Sequence, residues 1–76
     1  MFAISDTRSY TLTFSGTLDA DFLASYCPEG TILTGANGIA ILDHIHTDQS
    51  GIIGLIRHLH NLGCVILEIT TEKEPA

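Results

Sequence analysis

Four histidines are the residues of this chain best suited to chemistry, and they fall in two His-x-His pairs, His44-Ile45-His46 and His58-Leu59-His60. If the first pair lies on a strand, alternation points both imidazoles to one side, a workable spacing for two metal ligands. Asp43 then points to the opposite side, while Asp48 is close in sequence. A divalent ion such as Zn²⁺, held by His44, His46 and one carboxylate, is the cofactor chemistry this pattern allows. The plainer reading is two surface or interface histidines with no bound metal, because a zinc site takes three or four ligands. On a helix, residues two apart lie about 200° apart, so His58 and His60 do not share a metal.

A second candidate is the turn Thr47-Asp48-Gln49-Ser50-Gly51 ahead of an aliphatic run. Thr47 reads as a helix N-cap, with Asp48 in the first turn. Backbone N–H groups around Ser50 and Gly51 are suited to a small anion or the carboxylate of an amino acid. An ordinary capped helix explains the same residues. The other catalytic patterns are poor. Asp19 and Asp21 suit a helix start better than an acid–base pair. Cys27 and Cys64 have no basic neighbour in sequence to favour the thiolate, and read as small buried hydrophobes. Gly35-Ala36-Asn37-Gly38 lacks the pattern of a phosphate loop. No catalytic residue is assigned, and the chain leans away from being an enzyme.

These residues must be positioned by a small set of elements. Tyr10, Leu12 and Phe14 alternate with Thr11, Thr13 and Ser15, which predicts a half-buried strand over 9–15 ended by Gly16. A short helix is expected over 17–26, with Thr17 or Asp19 as cap and Pro28 as stop. Thr31 to Thr34 reads as a strand, and Asn37-Gly38 as a hairpin turn. A third strand runs from Ile39 to about His46. Neither of its faces is cleanly polar, so a bulge or burial on both sides is expected.

Ile52, Leu55, Ile56, Leu59 and Leu62 recur at helical spacing and form one stripe, closed by Gly63 at the C-terminal cap. Gly51 and Gly54 weaken this helix unless they permit a close backbone approach. The last strand is Cys64 to Thr71, with Val65, Leu67 and Ile69 on one face and Cys64, Ile66 and Glu68 on the other.

The order β-α-β-β-α-β predicts an α+β, ferredoxin-like fold: a four-stranded antiparallel sheet with two helices on one face. Its other face is bare, and Thr11, Thr13, Ile66, Glu68, Ile39 and Ile41 are expected there. The 76 residues make a single domain, 1–76, with 1–8 and 72–76 as flexible ends. The apolar fraction is 45%, rich for so small a chain, so some apolar side chains must reach the surface and mark an interface. A homo-oligomer, dimer or higher, is expected.

Nine acids against three bases give a net charge of −6. Three bases are too few to neutralise a row of phosphates, and the acidic balance repels an anionic membrane, so neither nucleic acid nor membrane is an expected partner. No signal sequence or membrane-length apolar run is visible, so cytoplasmic residence is the expectation.

The segment from Ile39 to Ile69 resembles the opening β-α-β of ACT-type regulatory domains, through Thr47-Asp48-Gln49-Ser50-Gly51, the aliphatic helix and Leu62-Gly63-Cys64-Val65-Ile66. That resemblance implies assembly through sheets or helices and an amino-acid ligand near the Asp-x-x-Gly turn. ACT domains carry this signature in their first half, whereas here it lies in the second. The run from Asp48 to Ile69 is also similar to the C-terminal part of a group of small uncharacterised bacterial proteins, which implies a stand-alone domain and no particular activity. The reading is therefore a small homo-oligomeric interaction or ligand-binding regulatory module. The alternative is a metal-dependent enzyme or metal-binding protein using His44 and His46.

Overall fold

A computed structural model describes residues 7–73. Its elements are β1 (Arg8–Ser15), α1 (Ala20–Tyr26), β2 (Ile32–Ala36), β3 (Ile39–Thr47), α2 (Gln49–Asn61) and β4 (Val65–Lys73). The chain is α+β, with one four-stranded antiparallel sheet and two helices. The strand order is β2-β3-β1-β4, so β1-α1-β2 steps over β3 and β3-α2-β4 steps over β1.

Alternation in β1 sends Tyr10, Leu12 and Phe14 to one face, where they meet Ile45, Leu42 and Ala40 of β3. Phe22 from α1 and Ile52, Leu55 and Leu59 from α2 complete this core, so both helices bury their apolar residues on the same sheet face. No polar side chain is buried among the described residues. Burying side chains such as Leu12, Leu42 and Leu59 contributes about 1.5–3 kcal/mol each. Among the described residues no helix is long and apolar enough to cross a membrane.

Local chemistry moves several boundaries from their expected places. Asp19, not Thr17, caps α1, its carboxylate accepting from the Phe22 N–H, and the helix begins only at Ala20. The hairpin contracts to two residues. Asn37 and Gly38 both hold positive φ, 58° and 81°, as a tight turn matching strand twist requires. Gly35 and Ala36 therefore join β2. Arg8, Glu72 and Lys73, expected in the ends, pair in strands, whereas residues 1–6 and 74–76 lie outside the described residues.

Leu62 is the C-cap of α2, beyond its last helical residue, and is 60% exposed, outside the buried stripe of Ile52, Leu55 and Leu59. In β4 the ladder slips at Leu67, so Ile66 opposes Phe14 and Ile69 opposes Leu12. That slip corrects the expected faces. Ile66 packs on the helix side, while Val65 and Glu68 lie on the outer face with their partners Ser15 and Thr13.

Candidate functional site

The candidate site is the β3 bulge on the outer sheet face. Tyr10 opposes Ile45 and Leu12 opposes Leu42, so Thr11 faces two residues of β3, Asp43 and His44. The extra residue is absorbed by His44, whose φ of 58° is left-handed and uncommon for a side chain of its size. The bulge restores the alternation after it, keeping Leu42 and Ile45 both buried. It also overturns the expected opposition of Asp43 and the histidines. Asp43, His44 and His46 all border one depression of about 400 Å³, with Ser9, Thr11 and Glu72 on its other sides.

Within this corner the Asp43 carboxylate is held firmly. The Thr11 hydroxyl donates to Oδ1 at 2.8 Å, and the His44 backbone N–H donates to the same oxygen at 2.8 Å. His44 Nδ1 lies 3.6 Å from Oδ2. The Thr11 hydroxyl foremost, then the His44 amide, hold the carboxyl below its ordinary value of 3.8. The corner is open, with the His44 and Asp43 side chains 57% and 47% exposed. An exposed carboxylate with neighbouring imidazoles has the chemistry of a cation site. Among the described residues, however, no three His, Cys, Asp or Glu side chains are gathered closely enough to hold a metal ion.

In the second candidate, Thr47, Asp48 and Gly51 are drawn together by helix capping. Asp48, rather than Thr47, is the N-cap, its Oδ1 accepting from the Gly51 N–H at 2.8 Å. Asp48 wins because its extended backbone places a carboxylate at the positive end of the helix. Thr47 Oγ1 lies against Gly51, where a β-carbon would collide with it. Ser50 is exposed on this turn. A carboxylate already at the helix start disfavours a second anion there by like-charge repulsion.

Two features go beyond the sequence pattern. Phe22, Tyr26 and His58 form an aromatic stack joining the helices: Tyr26 and His58 centroids are 4.1 Å apart, tilted 31°, and Phe22 and Tyr26 centroids 4.9 Å apart. The i, i+4 spacing of Phe22 and Tyr26 is visible in sequence; their meeting with His58 depends on the fold. The outer sheet face also carries exposed Ile32, Ile39 and Val65 beside half-buried Ile41. Both cysteines are free and half-buried, and burial pushes the Cys27 thiol up from 9.0.

Comparison with known proteins finds no family model, no curated protein and no solved structure that matches this chain.

Proposed function

We propose that this chain is a small homo-oligomeric interaction or regulatory module of the ferredoxin-like class, without catalysis of its own. The strand order β2-β3-β1-β4 and the two split β-α-β halves support the class. The observation that carries the role is the outer sheet face. Ile32, Ile39 and Val65 stand exposed there, on the side away from both helices. Exposed apolar side chains on a bare sheet face suit an association surface. A small-ligand role would use the Thr47–Gly51 turn. Asp48 there favours the ammonium end of an amino acid over an anion. Two free thiols suit a reducing compartment, and the cytoplasm is the location proposed.

Sedimentation equilibrium across a wide concentration range tests the role. The native chain is expected as a dimer or higher multiple, and Ile39→Glu, which places a charge in the apolar patch, is expected to weaken it. A native chain that stays monomeric at every concentration sinks the reading.

The β3 bulge favours a second reading, a divalent metal bound through His44 and His46, with Asp43 alongside. Ligands from a second copy would have to complete such a site. Native mass spectrometry decides this: stoichiometric metal lost on His44→Ala or His46→Ala supports it, and a metal-free mass after incubation with Zn²⁺ removes it.

A further inference from the structure

We propose that the groove between α1 and the C-cap of α2 receives an arginine side chain presented by a partner protein. The groove lies on the helix side of the sheet, so the proposal goes beyond the association reading above and does not depend on it. Its volume is about 430 Å³, and Asp19, Asp21, Phe22, Ser25, Tyr26 and Leu62 are among its walls.

The apolar walls are exposed and anchored on one residue. Leu62, at 60%, is the most exposed large apolar side chain among the described residues, and Tyr26 is 51% exposed. The His58 ring stacks on Tyr26 with centroids 4.1 Å apart, and the His58 carbonyl accepts from the Leu62 backbone N–H at 3.2 Å. Phe22 backs Tyr26 from within α1, with centroids 4.9 Å apart. Walls set before a ligand arrives lower the ordering cost of binding.

Charge decides what the groove takes. Asp19 and Asp21 are the only charged groups in its lining. Asp19 is engaged as the cap of α1, accepting from the Phe22 N–H, whereas Asp21 has no hydrogen bond or ion pair among the described residues. Ser25, one turn further along α1, adds a hydroxyl on the Asp21 side. A half-exposed ring, an exposed leucine and an unpaired carboxylate around one groove match an arginine. Its methylene stem covers apolar surface, and its guanidinium stacks on aromatic rings and donates in pairs to a carboxylate. A lysine ammonium, a strongly hydrated point charge, does neither of the last two.

The groove is open to solvent, so it does not enclose a free small molecule over the roughly 70–90% of its surface that such sites bury. An arginine on a protein surface needs only its side chain covered. The net charge of −6 steers a basic partner toward the chain. This chain's own Arg57 borders a separate depression with Ser50 and Ile53. Its entry into the groove of a second copy would build an open head-to-tail chain.

The test is an NMR titration of the native chain with a blocked Leu-Arg-Leu tripeptide, its citrulline counterpart (the same shape without the charge) and arginine amide alone. Leu-Arg-Leu is expected to shift the Tyr26 ring and Leu62 methyl signals saturably, and the citrulline peptide to bind about two- to fivefold more weakly. Asp21→Asn is expected to bring the arginine peptide down to the citrulline level. Leu62→Ala is expected to weaken both peptides alike while thermal unfolding stays nearly unchanged. No shift at Tyr26 and Leu62, or binding indifferent to Asp21→Asn, overturns the proposal. Arginine amide binding as tightly as the tripeptide overturns the partner protein and makes the groove a small-cation site. None of these outcomes bears on the outer sheet face, whose test is the sedimentation above.

Discussion

Thr11 and Asp43 meet across the β1–β3 ladder through a 2.8 Å hydrogen bond from the threonine hydroxyl to Oδ1. The two residues lie 32 positions apart in the sequence, and the bond pins the β3 bulge at the point where His44 takes its left-handed conformation. The same oxygen also accepts from the His44 amide, so one carboxylate ties both sides of the irregularity.

A pH dependence follows from this pair. The folded pKa of Asp43 is lowered relative to the unfolded chain, so its contribution to stability is present above the unfolded pKa. That contribution is lost as pH falls through the lower, folded value. Carboxyl NMR is expected to show Asp43 titrating below 3.8 in the native chain, and Thr11→Val is expected to move it upward. An unchanged titration in Thr11→Val would mean that the hydroxyl does not govern the carboxylate.

The two glycines early in α2 are expected to behave oppositely. A β-carbon at Gly51 meets Thr47 Oγ1, whereas one at Gly54 meets nothing within 4 Å. Gly54→Ala is expected to stabilise by about 0.5–1 kcal/mol through helix propensity. Gly51→Ala is expected to destabilise, since Thr47 must turn away beside the Asp48 cap. Urea unfolding of both variants checks this, and equal effects in the same direction would contradict the packing.

Much of this fold is legible in the sequence because it follows from local rules. The Tyr10, Leu12 and Phe14 alternation, the Asn37-Gly38 hairpin and the Ile52, Leu55 and Leu59 stripe each depend on nearby residues. The two bulges are harder. The mixed character of β3 hints at one, but its place at Asp43 and His44 is set by keeping Leu42 and Ile45 buried together. The slip at Leu67 leaves no comparable hint, which is why alternation alone puts Ile66 on the wrong face. Of the candidate site, the histidine pair can be named from spacing. Its link to Thr11 is tertiary and lies beyond any local pattern.

The stack of Tyr26 on His58 predicts a coupling between the helices. α1 has only seven residues, too short to be stable alone, and buries Phe22 as its one fully sequestered side chain. Tyr26 is 51% exposed, so its area burial is modest and the ring contact should matter. A double-mutant cycle over Tyr26→Ala and His58→Ala is expected to give a coupling of about 0.5–1 kcal/mol. Additive losses would show that the rings are merely adjacent.

Leu42 and Leu62 test where the core ends. Both are leucines that pattern alone would bury. Leu42 is fully buried on the central β3 strand against both its neighbours, whereas Leu62 is 60% exposed past the last turn of α2. Leu42→Ala removes contacts that cannot be regained by collapse of a rigid sheet and is expected to cost about 2–5 kcal/mol. In a chain this small such a loss is a large share of the total stability, which for native proteins runs at about 0.05–0.15 kcal/mol per residue. Leu62→Ala is expected to stay within about 0.5 kcal/mol, as surface substitutions do. Thermal unfolding of the two variants, at a concentration where the association state is known, separates them. A comparable loss in both would place Leu62 in a buried contact, and its exposure would then have to be covered by a second copy.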